Sequence, residues 1–247
     1  MPQRRDRAFI LSAIPLREKD RIVTFLTEHA GLRRGVARGA RRLQSAYAGS
    51  LEPMSETEVL WFEKEGRDLH RIDSIEIVRS SFPIAADLAP GLLLSAIAES
   101  LITFVPDSDP SEKFFRLAAH AVGALFDGRT AASVAVYFDA WVLKLTGVLP
   151  SPAACAACGN PLDAAAARFD ETLPGLVDAA CAGPGARRVS REVAPALARI
   201  LAQPISEVPP KIAEELAGVL RRIRRHFLGH ELKSQKVLGE VLYFGAW

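Results

Sequence analysis

Little cysteine, no long apolar run and no enzymatic signature set the first limits on this chain. Its 247 residues include three cysteines, all within 155–181. An odd number confined to one segment does not build a secreted disulfide framework and leaves reduced thiols or a metal site. No stretch of about eighteen uncharged apolar residues occurs, which argues against a membrane span. The richest segments, 88–105 and 133–149, are broken by Glu99 and by Asp139 and Lys144. The opening Met-Pro-Gln-Arg-Arg-Asp leads into too few apolar residues for a signal peptide before Arg17, so the cytoplasm is the expected location. There is no P-loop, no dinucleotide-binding glycine fingerprint, no Gly-x-Ser-x-Gly elbow and no His-Glu-x-x-His pair, which disfavours a metabolic enzyme.

What is present is a partition of charge beneath a net +2. Residues 1–50 carry eleven Lys and Arg against four Asp and Glu, residues 51–186 nine against nineteen, and residues 187–247 eleven against six. Basic ends around an acidic middle suggest separate binding surfaces, whereas a solvated face usually mixes its signs. The densest basic stretch is Gly-Leu-Arg-Arg-Gly-Val-Ala-Arg-Gly-Ala-Arg-Arg at 31–42, with Arg33, Arg34, Arg38, Arg41 and Arg42. Such guanidiniums repel one another unless an anion joins them, and glycines let the backbone bring them close to a partner. Lysine and arginine also blunt exposed sheet edges, but this density with these glycines favours a phosphate backbone. Arg17, Lys19 and Arg21, interleaved with Glu18 and Asp20, extend the same groove or pair locally.

Hydrophobic periodicity divides the chain. Segments 7–14, 21–27, 32–38, 57–63 and 69–78 are β-branched, aromatic or alternating, with turn chemistry at Gly31 and at Lys64-Glu65-Gly66-Arg67-Asp68. Five short strands and one long basic loop suit a closed barrel of the OB type over 1–82. From Leu88 the period becomes helical: 88–104, 111–125 (opened by Asp109-Pro110-Ser111-Glu112), 131–145, 191–202 and 211–228. In the last of these Leu216, Leu220, Ile223 and Phe227 form the apolar stripe and Arg221, Arg222, Arg224 and Arg225 fall largely on other faces. Residues 151–189 are rich in Ala, Gly and Pro without a period. The expected class is α+β: an N-terminal five-stranded OB-fold β-barrel, then an α-helical domain over 83–247 that carries 151–189 as an insertion.

Several constellations invite chemistry. Asp107 and Asp109 resemble paired metal carboxylates, but capping accounts for Asp109 and a polar loop for Asp107. His226 and His230 lie one helical turn apart among arginines, which disfavour a cation. Phe25, Tyr47, Trp61 and Phe62 are candidate stacking platforms for bases, although alternation along a barrel strand buries about half of its side chains. Cys155-Ala-Ala-Cys158-Gly159 has the spacing of a zinc knuckle, and Cys181 follows. A ligand at 184 would complete two Cys-x-x-Cys pairs, but Pro184 cannot ligate, so a fourth must be distant or an aspartate such as Asp170 or Asp178. A zinc site and small buried thiols both remain open.

In order and spacing the motifs together resemble the RecO family of bacterial recombination mediators. They are Glu18-Lys19-Asp20, Thr27-Glu28-His29-Ala30-Gly31, Val36-Ala37-Arg38-Gly39-Ala40-Arg41-Arg42 with Ser45, Leu51-Glu52-Pro53, Gly147-Val148-Leu149-Pro150 before the cysteine knuckle, and Leu232-Lys233-Ser234. The resemblance implies an OB-fold, a helical domain and a zinc-ribbon-like insertion, here with degenerate cysteines. It implies a non-enzymatic, nucleoid-associated role: binding and annealing single- and double-stranded DNA, and acting with RecR to load RecA. It also implies capture of the acidic, phenylalanine-ended tail of single-stranded-DNA-binding protein. On this chain Lys19, Arg21, Arg33, Arg34, Arg38, Arg41 and Arg42 would carry DNA, Arg221, Arg222, Arg225 and Lys233 the tail, and Cys155, Cys158 and Cys181 any zinc. A protein-only adapter and an RNA-binding OB protein are the rival readings.

Overall fold

The computed structural model describes residues 2–63, 66, 68–107, 112–170 and 172–243. Two compact units, Met1–Val122 and Gly123–Trp247, divide the chain.

The first unit is built on five strands: β1 (Gln3–Leu16), β2 (Asp20–Thr27), β3 (Gly31–Ala37), β4 (Glu56–Phe62) and β5 (Leu69–Arg79). They close into a barrel in the order β1-β2-β3-β5-β4, with β4 returning to β1. Every ladder is antiparallel except β3 on β5, where Arg34, Gly35 and Val36 run parallel to Leu69, His70 and Arg71. Inward-facing Phe25, Val59, Trp61 and Ile72 fill the barrel with Tyr47, whose hydroxyl donates to the Asp73 carbonyl at 3.2 Å. Each large apolar side chain so buried contributes about 1.5–3 kcal/mol. Gly35 is required in this core, since a Cβ there would stand 2.6 Å from Ile72. Three helices follow: α1 (Phe82–Ala85), α2 (Leu88–Phe104) and α3 (Glu112–Phe126), the last crossing the division between units. Phe115 of α3 stacks on Phe9 of β1 at 5.1 Å between ring centroids. The expected cap at Asp109-Pro110-Ser111 and most of the turn at 64–67 lie outside the described residues.

In the second unit α4 (Ala131–Leu145) is buried almost all round, as befits a central helix. Small strands β6 (Arg168–Phe169), β7 (Leu176–Val177) and β8 (Arg187–Arg188) form a sheet in the order β7-β6-β8 within the insertion. Helices α5 (Val193–Ile200), α6 (Pro210–Leu228) and α7 (Lys233–Leu242) complete the unit. The α6 stripe differs from expectation at its end: Phe227 is exposed and Arg224 is buried instead. Among the described residues, no helix is long and apolar enough to cross a membrane.

Candidate nucleic-acid interface

The tight turn between β1 and β2 and the chain leaving β3 meet at one end of the barrel. Arg17 adopts a positive φ of 55°, uncommon for a side chain other than glycine, and Gly39 turns the second segment at φ 73°. Three hydrogen bonds stitch the turns together. The Gly39 N–H donates to Asp20 Oδ1 at 2.8 Å, the Arg41 N–H to the Lys19 carbonyl at 3.0 Å, and Arg41 Nη1 to the Arg17 carbonyl at 2.7 Å. The result is an open groove of about 610 Å³ lined by Arg17, Lys19, Arg38 and Arg42 with Glu18, Asp20 and Gly39. Four cations face two carboxylates there, and Asp20 is already occupied by a backbone amide. None of the four cations has an ion-pair partner among the described residues, so the groove presents net positive charge to solvent. Such a surface attracts anions.

The run 33–42 is therefore not one patch. Strand β3 carries Arg33 and Arg34 toward the other end of the barrel, where Arg33 lies 3.7 Å from Glu63 and Arg34 3.8 Å from Asp107. Arg21 is half-buried and donates to the Ala13 carbonyl at 2.9 Å, tying β2 to β1. Phe25, Tyr47 and Trp61 are core, and the Arg71 guanidinium stacks over Phe62 at 5.2 Å, so none of the four offers an uncovered ring. Of Arg17, Lys19 and Arg21, expected either to extend the groove or to pair locally, Arg17 and Lys19 line it, and the pairing of the two turns is what places them there.

The candidate tail-binding cations spread along α6 and α7. Arg221 pairs with Glu231, and Arg222 stacks over Phe169 at 5.2 Å. Arg225 and Lys233 are exposed. The depression that Arg221 lines is only about 20 Å³. A larger cleft of about 450 Å³ lies elsewhere in this unit, where Arg191 and Arg199 stand around Pro195, Ile200, Val208 and Ile212. His226 and His230 are exposed and belong to no metal-type cluster among the described residues.

The three thiol sulfurs lie within 4.8 Å of one another. The knuckle is ordered by the Cys155 N–H bonded to the Asn160 carbonyl at 2.8 Å and the Gly159 N–H bonded to the Cys155 carbonyl at 2.9 Å. Burial raises the Cys155 thiol, but amide donors from Asp178, Cys158 and Ala157 outweigh it and bring the group down to about 7. Hydrogen bonding to Cys158 and Cys155 instead pushes Cys181 up to about 11. The backbone that meets the cluster is Asp178, whose N–H lies 3.4 Å from Cys155 Sγ. Asp178-x-x-Cys181 thus forms the facing half, and β7 delivers it directly from Val177. The Asp178 carboxylate accepts the Asp163 N–H at 3.0 Å. Asp170 is no ligand: Thr172 Oγ1, the Thr172 N–H and the Gly183 N–H occupy both its oxygens and hold its carboxyl below the usual range. Three thiols fit zinc, which favours thiolate sulfur; Asp178 meets them through its N–H while its carboxylate serves Asp163, so solvent would complete the four positions.

A second cluster, Asp6, Glu28 and His29, is explained by ion pairing, His29 with Asp6 and Arg7 with Glu28.

Comparison with known proteins agrees with this architecture. The family described as Recombination protein O N terminal matches residues 1–81, and Recombination protein O C terminal matches 86–236. The chain is 33% identical over 174 residues to the DNA repair protein RecO of Koribacter versatilis, covering 70% of each chain. It is 32% identical over 240 residues to the protein of the same name from Anaeromyxobacter sp. strain Fw109-5, covering 94% of each. It is 34% identical over 202 residues to that of Geobacter metallireducens, covering 82% of each.

Proposed function

The chain belongs to the RecO family of DNA repair and recombination proteins, and from that premise we propose that it is a non-catalytic mediator which grips DNA phosphates in the Arg17–Arg42 groove. The observation that carries this reading is the pair of stitched turns: they hold Arg38 and Arg42 beside Arg17 and Lys19 with too few carboxylates to satisfy them. Binding through phosphates carries little sequence information, so the protein pairs with single and double strands alike and brings complementary strands together. A second basic surface on α6 and α7, with Arg225 and Lys233 exposed, takes the acidic tail of single-stranded-DNA-binding protein, assisted by Arg221 and Arg222. With RecR, the protein loads RecA onto strands so coated.

The test is fluorescence anisotropy of a labelled single strand at several salt concentrations. Each phosphate contact on a single strand contributes about 0.7 to the slope of log affinity against log salt, so Arg38→Ala and Arg42→Ala together flatten the slope by about 1.4. An unchanged slope removes the groove from the interface. Lys233→Glu weakens binding of a tail peptide and spares naked DNA; an equal loss of both shows that the two surfaces are one.

A further inference from the structure

Leu43 stands entirely in solvent. Its relative exposure is 105%, whereas the next most open large apolar side chains among the described residues, Leu88 and Phe82, reach 69% and 68%. A lone apolar side chain on a surface is ordinary; what sets Leu43 apart is where the chain holds it. It follows Arg42 directly, so its Cα lies about 3.8 Å from that of a residue lining the basic groove.

The segment that carries it is tied down on both sides. Before it, the Arg42 N–H donates to the Gly39 carbonyl and the Arg41 N–H to the Lys19 carbonyl, each at 3.0 Å. After it, the Tyr47 N–H donates to Ser45 Oγ at 3.1 Å, and the Tyr47 ring is buried in the barrel with its hydroxyl on the Asp73 carbonyl. Leu43 is thus held between two anchors, close to an apolar core that it does not enter, and turned out beside the cations.

The groove itself is lined by charged side chains and Gly39, with no apolar surface of its own. The aromatic side chains suited to bases are spent elsewhere: Phe25, Tyr47 and Trp61 are buried, and Arg71 covers Phe62. A backbone seated on Arg38 and Arg42 brings its bases to the rim of the groove, where Leu43 projects. In a single strand each base has an apolar face open to water, and covering that face is favourable whatever the sequence. In an intact duplex the faces are stacked on one another and closed.

We propose that Leu43 packs against the face of a base in a single strand whose phosphates lie in the Arg17–Arg42 groove. The inference rests on the reading that this groove grips DNA. Phosphate contacts serve single strand and duplex alike, and Leu43 tips the balance toward the single strand.

Fluorescence anisotropy on the full chain tests it with three labelled probes of equal length: a single strand, the same strand built wholly of abasic sites, and a duplex. Leu43→Ser is expected to weaken the intact single strand about fivefold, as uncovering roughly half of a leucine's apolar surface would. The abasic strand and the duplex stay within about twofold, and the salt slope is unchanged because no phosphate contact is lost. Leu43→Phe, which offers a flat ring, binds the intact strand at least as tightly as the wild type. Neither replacement disturbs the core, since the side chain is wholly exposed. Equal losses on intact and abasic strands, no loss on either, or a Leu43→Phe chain that binds like Leu43→Ser overturns the base contact and leaves the groove standing. An equal loss on the duplex overturns the preference for single strands. Absence of salt-sensitive binding of any probe by the wild-type chain overturns the groove reading and the base contact with it.

Discussion

Arg224 donates from Nη1 to Asp139 Oδ2 at 2.7 Å, joining α6 to α4 with both side chains nearly closed to water. The other carboxylate oxygen accepts Gln235 Nε2 at 3.0 Å, which brings α7 onto the same point. Attraction and desolvation nearly cancel in such a pair, yet removing one partner strands the other. Asp139→Ala is therefore expected to cost about 3–5 kcal/mol, whereas Asp139→Leu combined with Arg224→Met stays close to the wild type. Urea unfolding of the two variants checks this, and equal losses would mean that the ion pair itself is the stabilising element.

Gly35 leaves no room for a side chain in the barrel. Because the added methyl of Gly35→Ala would meet Ile72 Cγ1 at 2.6 Å, β3 and β5 must move apart or Ile72 must leave its rotamer. The expected loss is about 1–3 kcal/mol, and Ile72→Ala in the same chain relieves the clash while leaving its own cavity cost. Thermal melts of the single and double variants should show non-additive losses.

How far the fold could be read from the chain depended on where its residues make their contacts. The barrel strands were legible because alternation and turn residues act locally, and α2 and α4 because their apolar residues recur at helical spacing. Helix α7 was not: only Gln235 and Leu238 among its ten residues are buried, which leaves no stripe to recognise. Arg224 looks like a surface cation beside Arg225 until Asp139, 85 residues earlier, is seen against it. In the candidate site the density of arginine between 33 and 42 was plain, but strand direction sends Arg33 and Arg38 to opposite ends of the barrel. Spacing also placed the missing thiol partner at Pro184, whereas the backbone brings Asp178 to Cys155.

Hydrogen bonding to Asp6 raises the His29 pKa above its ordinary value. A raised folded-state value means that the pair's contribution is complete below the unfolded-state pKa near 6.5 and disappears as pH rises through the folded one. Stability should thus decline slightly as pH rises through that interval and level off above it, and Asp6→Asn should remove the decline. An NMR titration of the His29 ring follows it directly; a midpoint unmoved by Asp6→Asn would assign the shift to another group.

Zinc is expected at up to one ion per chain, held by Cys155, Cys158 and Cys181. Asp178→Cys makes the facing half a second Cys-x-x-Cys and should tighten binding by at least tenfold, while Cys158→Ser abolishes it. Competition against a chromogenic chelator measures both. If Asp178→Cys changes nothing, the fourth position belongs to solvent.

The barrel closes on its shortest ladder. Three residue pairs join β3 to β5, against seven or eight in each of the other four. Opening the cylinder there breaks the fewest hydrogen bonds, so amide protons of 34–36 and 69–71 should exchange before those of β1 and β2. That seam also brings together segments 35 residues apart in the chain, so, like the still less local ladder of β1 on β4, it forms after the hairpins as the protein folds. Until it zips, β3 and β5 are bare edges able to pair with another molecule, and the arginines at 33, 34 and 71 sit where repulsion between copies opposes that pairing.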